Sequence, residues 1–513
     1  MSTWIPQVPV TLSLRRLFPS ASFVGCADIQ VREVSERSSD CRPNVLFAAI
    51  PGTHVDGIEY VNEAVERGAS AVLVERPLPD VATPQCVLPN TRRAYAQLCA
   101  ALAGHPSCRL KIAGVTGTNG KTTVTWLVRS IMRAAGHQAG LLGTIEYADG
   151  TATERANLTT PDSKTLSDQL SQMVQQGTEH AAIEISSHAL DQDRTAGTLL
   201  DVAVVTNVTQ DHFDYHHNYK AYLAAKSRIL VHRKPGALTV LNADDRGSIS
   251  LRDQLSAHAN VLTIGLNQPA DVTARILDQS LSGSRFVLSY GLDADQVEVS
   301  TWLVGRHNVL NCLAAAAVAR HFDVSLADIA MGIESLNAVP GRMERVDCGQ
   351  PYDVFIDYAH TDDALRRAID QLRSLTDGRV LCVFGAGGDR DRSKRVLLAK
   401  AAAGADLPIV TSDNPRTEDP RKIIGDILVG FDSMAKPPYI EIDRAQAIRW
   451  ALDHAQPADS VLVAGKGHEC EQIIGTQYFP FDDREVIREA LAQQALQLMQ
   501  RERQHAEATA IRS

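Results

Sequence analysis

The chain has 513 residues, too many for a single hydrophobic core, and the usual domain size suggests about three or four units. Its net charge of −10 and its lack of any long Lys/Arg run argue against non-specific binding to nucleic acid or an anionic membrane, although a local basic cleft for phosphates is compatible with both. Nine scattered cysteines with no CxxC pair, no signal-length apolar stretch near Pro6 and Pro9, and no membrane-spanning run point to a soluble cytoplasmic protein with reduced thiols and no membrane insertion.

From Val45 to about Ala103, two strand-like runs alternate with helix-like segments and end at the turn Gly104-His105-Pro106, which predicts a small α/β domain over residues 1–107. A central domain over 108–338 opens with an apolar strand at Leu110–Thr116. It continues through the loop Gly117-Thr118-Asn119-Gly120-Lys121-Thr122-Thr123 into a helix whose apolar positions Val124, Leu127, Val128, Ile131, Met132 and Ala135 recur at helical spacing. Further apolar runs at Ala181–Ile185, Asp201–Val205 and Leu238–Leu241, separated by helical segments, predict a mostly parallel sheet covered on both faces. Short alternating runs between Asp271 and Leu303 predict an antiparallel flap, and Asn308–Ala319 a helix. After a linker at Asn337–Gly341, the runs Val354–Ile356, Val380–Phe384, Ile409–Val410 and Val461–Val463 predict a Rossmann-like domain over 339–498, with a polar frayed helix or tail over 499–513. The fold class is therefore α/β in three domains, and neither an internal repeat nor a low-complexity tract interrupts them.

The 117–123 loop carries the parts of a phosphate site: glycines for the tight turn, Lys121 for the β/γ-phosphates and the Thr122 hydroxyl for Mg²⁺, all at a helix N-terminus. The general P-loop pattern places its first glycine where this chain has Val115, which disfavours a generic motor or GTPase. In open α/β sheets ligands gather beyond the carboxyl ends of strands, so polar residues following apolar runs are the candidates. Glu184, followed by Ser186, Ser187 and His188, fits a Walker-B-like acid or, equally, a solvated strand end. His212 and His216 stand at i, i+4, a spacing that suits a transition metal on a helix, but no further Cys/His cluster completes a shell, and a loop lining a nucleotide-Mg²⁺ site is more economical. Gly385-Ala386-Gly387-Gly388 lacks the third spaced glycine of a dinucleotide fingerprint. Asp413-Asn414-Pro415-Arg416, taken alone, reads first as an Asn-Pro turn with a solvated arginine, and Gly465-Lys466-Gly467-His468-Glu469 as a turn or as a loop bringing a carboxylate to a ligand amine.

Taken in order, GTNGKTT at 117, EISSH at 184, DHFDYH at 211, YLAAKSRIL at 222, NADD at 242, GRHNVLN at 305, GRME at 341, DYAH at 357, GAGGDRDRSKR at 385, DNPRTEDP at 413 and GKGHE at 465 resemble the Mur ligase family, and within it the members that add diaminopimelate. The resemblance covers nearly the whole chain. It implies a UDP-substrate domain, a central ATPase domain and an amino-acid domain. It also implies a reaction in which ATP phosphorylates the D-glutamyl carboxylate of UDP-N-acetylmuramoyl-L-alanyl-D-glutamate and meso-diaminopimelate attacks the acyl phosphate. ATP would be bound by Gly117, Thr118, Asn119, Gly120, Lys121, Thr122, Thr123, Asn311, Arg342, Asp357 and His360. Thr122, Glu184 and His212 would hold Mg²⁺, with Lys121, Glu184 and His212 among the catalytic groups. Lys226, which its helical pattern alone would place on an exposed face, matches the family's N6-carboxylysine, a carbamate formed with CO₂ that joins the metal ligands and the catalytic set. Thr159, Thr160, Ser186, Gln192 and Arg194, preceded by Leu158, match the UDP-substrate site, with Ser38 and Thr53-His54-Val55 toward the uridine. At the N-terminal motif the chain reads Arg37-Ser38-Ser39 where the family usually has Asp-Ser-Arg. Arg390, Asp413, Asn414, Pro415, Arg416, Gly465 and Glu469 match the diaminopimelate site. Arg416 discriminates, because a guanidinium fork suits the distal carboxylate that lysine lacks. A monomer is expected, with no nucleic-acid partner. The competing readings are an L-lysine-adding ligase, a folylpolyglutamate-type ligase, and a P-loop nucleotide switch without ligase activity.

Overall fold

The apolar runs become buried strands, and their carboxyl ends carry the candidate residues. The structure, a computed structural model, describes residues 11–52, 55–209, 213–291, 295–431 and 437–510. Contacts divide the chain into two compact units, the first reaching Ala274 and including Leu288–Val297 and Leu310–Ser335, the second comprising Arg275–Val287, Glu298–Val309 and the chain from Leu336 onward.

Among the described residues the first unit contains a two-stranded ribbon that pairs Leu12–Ser13 with Gln30–Val31, and two large sheets. The smaller uses β1 (Ser22–Val24), β2 (Glu33–Ser35), β3 (Val45–Ala48), β4 (Ala71–Val74) and β5 (Gln85–Val87) in the order β1-β5-β4-β3-β2, parallel except for β1. One of its faces buries Leu46, Ala48, Leu73 and Cys86 against α1 (Thr91–Leu102), and the other buries Val45, Phe47, Val72 and Val74. The chain then enters the central sheet through β6 (Lys111–Thr116) and α2 (Lys121–Ala134). After β7 (Ala139–Leu142), β8 (Glu146–Ala148) and β9 (Thr153–Arg155) come α3 (Ser163–Gln175), β10 (His180–Glu184), β11 (Leu200–Val205), α4 (Tyr219–Ser227), β12 (Arg233–Asn242) and β13 (Asn260–Gly265). The order is β9-β8-β7-β10-β6-β11-β12-β13, followed by the flap strands β14 (Val272–Ser280), β15 (Gly283–Tyr290) and β16 (Asp295–Thr301). From β7 to β12 the pairs are parallel, so the carboxyl ends of β6, β10 and β11 lie side by side, with Val115 opposite both Glu184 and Val204. In α5 (Arg306–His321), Cys312 through Ala319 are buried on every side, which explains an almost unbroken apolar run where an amphipathic stripe would be usual.

The second unit is a parallel sheet with one short antiparallel edge. Its strands are β17 (Glu344–Arg345), β18 (Asp353–Asp357), β19 (Val380–Phe384), β20 (Leu407–Val410), β21 (Tyr439–Ile440) and β22 (Ser460–Ala464), in the order β17-β18-β22-β19-β20-β21. Phe355, Cys382, Phe384 and Leu462 face one core and Val354, Ile356, Val383 and Val463 the other, as a doubly covered parallel sheet requires. A hairpin of β23 (Glu471–Ile474) and β24 (Gln477–Pro480), not anticipated from the sequence, follows the GKGHE loop. The residues read as a polar tail from 499 continue a helix that runs from Asp483 to Ala510.

Candidate active site

In the first unit Val115 lies inside β6, fully buried between two neighbouring strands, so the phosphate loop starts only at Gly117. The main chain there needs glycine twice. Gly117 has φ +152 and Gly120, the N-cap of α2, has φ +86 with an added Cβ falling 2.5 Å from Asn311 Oδ1. The loop is pinned from β11: Thr118 N–H donates to the Asn207 carbonyl at 2.8 Å, Asn119 N–H to Asn207 Oδ1 at 2.9 Å, and the Thr206 hydroxyl donates to the Asn119 carbonyl at 2.6 Å. Lys121 Nζ donates to the carbonyls of Gly117 and Thr118, both at 2.9 Å, keeping the ammonium over the turn.

Glu184, at the end of β10, is fully buried and accepts hydrogen bonds from the Thr122 hydroxyl at 2.9 Å, the Thr144 N–H at 2.8 Å and the Thr144 hydroxyl at 3.0 Å. That burial rules out the solvated strand end. A hydroxyl and a carboxylate beside a phosphate loop form a hard oxygen donor set, which fits Mg²⁺ rather than a soft metal. Lys226 contradicts the exposed position that its helical pattern suggests: it is 1% exposed, donates to the Gly117 carbonyl at 2.7 Å and lies 4.5 Å from the Tyr222 ring centroid. The Tyr222 hydroxyl in turn meets Thr118 Oγ1 at 3.1 Å. A lysine amine is the group that CO₂ converts to a carbamate, and its place beside the Gly117 carbonyl of the phosphate loop fits that modification. The structure thus gathers Thr122, Glu184 and Lys226 around one loop. His216 is buried with Nε2 3.0 Å from the Ser187 hydroxyl, which accounts for it without a zinc ion, while His212 lies outside the described residues.

Thr159, Thr160, Ser186, Gln192 and Arg194 form one chain of contacts leading from Glu184. Thr144 Oγ1 donates to Thr159 Oγ1 at 3.1 Å, Thr160 Oγ1 donates to the Glu184 carbonyl at 2.8 Å, and Ser186 N–H donates to Thr160 Oγ1 at 2.9 Å. Arg194 donates to Gln192 Oε1 at 2.7 Å and to the Thr160 carbonyl at 3.3 Å. Burial pulls the Arg194 guanidinium below its ordinary range, with Asp162 and Glu36 opposing that shift and Arg92 adding to it. Leu158 is exposed and offers its carbonyl to the Tyr147 hydroxyl. Ser38 instead donates to Glu63 at 2.9 Å, Val55 is exposed, and Thr53 and His54 lie outside the described residues.

In the second unit the carboxyl ends of β18, β19, β20 and β22 carry two neighbouring groups. Asp357 accepts from Met343 N–H at 2.7 Å and Ala359 N–H at 2.8 Å; burial raises its carboxyl, while Arg342 opposes the shift. The Arg342 guanidinium lies 4.7 Å from the Tyr358 ring centroid, and His360 packs on the same ring at 4.6 Å. Tyr358 also feels Glu469, Asp413 and Arg390, which links the two groups.

The glycine loop 385–388 allows backbone to approach backbone. A Cβ on Gly388 would overlap the Pro415 carbonyl, and Gly388 N–H donates to the Asn414 carbonyl at 2.9 Å. These glycines therefore serve the placement of the 413–416 loop and not a dinucleotide. Arg416 adopts φ +51, uncommon for a side chain of this size, and is held there by three bonds: Arg416 N–H donates to the Ile473 carbonyl at 3.0 Å, Gly475 N–H to the Arg416 carbonyl at 2.6 Å, and Arg416 Nη1 to the Gly388 carbonyl at 2.8 Å. Arg395, 1% exposed, clamps Glu418 at 2.7 and 3.0 Å and holds that carboxyl down to about 2. Asn414 Nδ2 donates to Glu469 at 2.9 Å, and Asn414 Oδ1 accepts from Lys466 Nζ at 3.1 Å and Ile473 N–H at 3.0 Å. Gly465, at φ +112, has room for no Cβ beside the Asp413 carboxylate, while Arg390 is exposed. Sequence reading missed Thr144, Tyr358, Lys466 and Gln472, whose Nε2 donates to the Asp413 carbonyl at 2.7 Å. Tyr358 and Lys466 stood inside motifs already singled out; Thr144 and Gln472 offered no such signal.

Three family models match: the Mur ligase middle domain over residues 115–319, the Mur ligase glutamate ligase domain over 341–467, and the Mur ligase family catalytic domain over 30–102. The chain is 43% identical to a UDP-N-acetylmuramoyl-L-alanyl-D-glutamate--2,6-diaminopimelate ligase of Geobacillus thermodenitrificans, covering 91% of this chain and 96% of that protein. It is also 43% identical to the ligase of the same name from Solibacter usitatus, covering 91% and 94%. A solved structure of a ligase with this name superposes with a TM-score of 0.68 at 31% identity, covering 95% of this chain and all of that one. Folylpolyglutamate synthase of Thermotoga maritima, at 15% identity, TM-score 0.58 and coverage of 73% and 90%, shares the fold alone. The chain belongs to the Mur ligase family.

Proposed function

We propose that this chain joins meso-2,6-diaminopimelate to the D-glutamate of UDP-N-acetylmuramoyl-L-alanyl-D-glutamate at the expense of ATP, a cytoplasmic step in peptidoglycan precursor synthesis. The observation that carries the ligase reading is the convergence on the 117–122 loop of a buried carboxylate, Glu184, and a buried amine, Lys226. A nucleotide switch has no use for that pair. An enzyme that must bring a substrate carboxylate against a triphosphate needs positive charge there, which Lys121 and a bound Mg²⁺ would supply, and buried side chains that can hold that ion.

The three sequence domains divide the work: UDP-substrate binding over 1–107, ATP activation over 108–338 and amino-acid binding over 339–498. The substrate carboxylate attacks the γ-phosphorus, an O–P bond forms, and ADP leaves with its bridging oxygen. The amine then attacks the carbonyl carbon, the C–O bond to phosphate breaks, and the amine sheds a proton as the amide forms. Loop N–H groups and Lys121 orient the β- and γ-phosphates. Thr122 and Glu184, with His212, would hold Mg²⁺, which neutralises charge on the phosphates when bound. Lys226 acts as a carbamate: its ammonium gives up one proton, the free amine adds to CO₂, and a second proton leaves as the N–C bond forms, so that a cation becomes an anion. Thr159, Thr160, Ser186, Gln192 and Arg194 bind the UDP-linked dipeptide, whose uridine end reaches toward Ser38. Asn311, Arg342, Asp357 and His360 complete the ATP set.

Diaminopimelate is favoured over lysine by Arg416, whose fork pairs with the distal carboxylate while Asp413, Asn414 and Glu469 receive the ammonium and Arg390 adds positive charge. The test is hydroxylamine trapping. With ATP, Mg²⁺ and the UDP-dipeptide but no amino acid, the enzyme should yield the glutamyl hydroxamate detectable by mass spectrometry. ATP hydrolysis without hydroxamate would contradict an acyl-phosphate route.

A further inference from the structure

At the opposite, amino-terminal ends of the central strands lies a cluster with no part in this chemistry. His137 follows α2, and Glu179 and His180 lead into β10, where His180 is in register with Ala139 of β7 and Lys111 of β6. The backbone is fixed there: His137 N–H donates to the Met132 carbonyl at 2.9 Å, and the N–H groups of Glu179 and His180 both donate to the Gln138 carbonyl, at 3.2 and 3.3 Å. One ligand atom from each of the three side chains lies within 4.8 Å of the other two. His137 Nδ1 is 2.8 Å and His180 Nδ1 4.0 Å from Glu179 Oε2, and the imidazole centroids are 4.7 Å apart.

We propose that His137, Glu179 and His180 form a transition-metal site of the zinc class, separate from the catalytic centre. Two imidazoles and a carboxylate are a common zinc donor set, and tetrahedral ligands at about 2.0–2.2 Å from an ion stand about 3.4 Å apart, between the 2.8 and 4.0 Å that separate the two ring nitrogens from Glu179. A surface His–Glu hydrogen bond explains His137 and Glu179 but not His180. That side chain is 2% exposed, and neither ring nitrogen has a hydrogen-bond partner among the described residues. Leaving a buried polar group unsatisfied costs about 1–3 kcal/mol, and coordination would relieve one nitrogen. Lys111, its ammonium 5.8 Å from the Phe322 ring centroid, is an adverse charge that Glu179 and Asp201 offset. With His137 half-exposed and Glu179 exposed, an ion has a direct approach. Four residues of strand, about 13 Å, separate His180 from Glu184.

The experiment is a Co²⁺ titration of the full-length, chelator-treated protein followed by visible absorption, with Zn²⁺ competition. The wild-type chain should take up one equivalent of Zn²⁺ that His137→Ala and Glu179→Gln each bind at least about tenfold more weakly. Both variants change surface residues, so they decide the matter even if His180→Ala does not fold, and Mg²⁺-supported ligase turnover should be unchanged in both. Absence of stoichiometric Zn²⁺ uptake by the wild type, or weakening of less than tenfold in both variants, overturns the proposal.

Discussion

Replacing Arg416 with lysine keeps the charge and removes the planar fork. The main chain at this position sits at φ +51, held by Ile473 and Gly475, and lysine is neither better nor worse suited to that conformation than arginine. The substitution therefore keeps the main-chain anchors and removes the guanidinium together with its hydrogen bond to the Gly388 carbonyl. A bidentate pair with the distal carboxylate of diaminopimelate supplies two charge-assisted hydrogen bonds, and a lysine retains one of them. The loss is about 1.5–3 kcal/mol, or about 10- to 150-fold in kcat/KM for diaminopimelate. Turnover of L-lysine as acceptor, which has no such carboxylate, should change by less than about threefold, and the KM for ATP should stay put. Steady-state phosphate release at saturating ATP and UDP-dipeptide, with each amino acid varied in turn, reads all three quantities. An unaltered diaminopimelate KM, or equal losses for both amino acids, refutes the assignment.

Lys226→Ala should lower turnover by about a hundredfold or more and regain part of it with added acetate or formate, measured by phosphate release; full activity in the variant removes the carbamate from the mechanism. Gly388→Ala drives a methyl group into the Pro415 carbonyl, so the thermal midpoint should fall by the equivalent of about 1–3 kcal/mol and the diaminopimelate KM should rise while ATP binding persists. The Arg395–Glu418 pair sets an acid dependence. The carboxyl titrates near 2 in the folded chain and near 4.5 when unpaired, so its stabilisation is complete above the upper value and drains away as pH falls toward the lower. Glu418→Gln should flatten the acid limb of stability between those values in a urea-unfolding series, and an unchanged limb would show that the pair contributes nothing.

The sequence exposed those parts of the fold and site that depend on local pattern. The apolar runs at 111–116, 180–184 and 200–205 are legible because buried parallel strands must be apolar on both faces, and the polar residues following them mark the strand ends where ligands collect. Val115 is instructive: its place inside β6 shows why the loop begins two residues later than the general pattern demands. What depended on distant packing was not legible. Lys226 sits in an ordinary helical pattern and is buried where the Gly117 carbonyl and the Tyr222 ring lie against it. Thr144 acts on Glu184 from a turn forty positions away, and the hairpin that fixes Arg416 in a left-handed conformation leaves no trace around the DNPR motif itself. Gly385, Gly387 and Gly388 resemble part of a dinucleotide fingerprint because both need a backbone that approaches closely; here the group that approaches Gly388 is the Pro415 carbonyl and not a pyrophosphate.

The central claim, that this chain is an ATP-driven ligase selecting diaminopimelate, is tested most directly by following phosphate release from the purified protein with ATP, Mg²⁺ and UDP-N-acetylmuramoyl-L-alanyl-D-glutamate while meso-diaminopimelate and L-lysine are compared as acceptors. The account predicts turnover that requires the UDP-dipeptide and strongly prefers diaminopimelate. Turnover with neither acceptor, or ATP hydrolysis indifferent to the UDP-dipeptide, would contradict it.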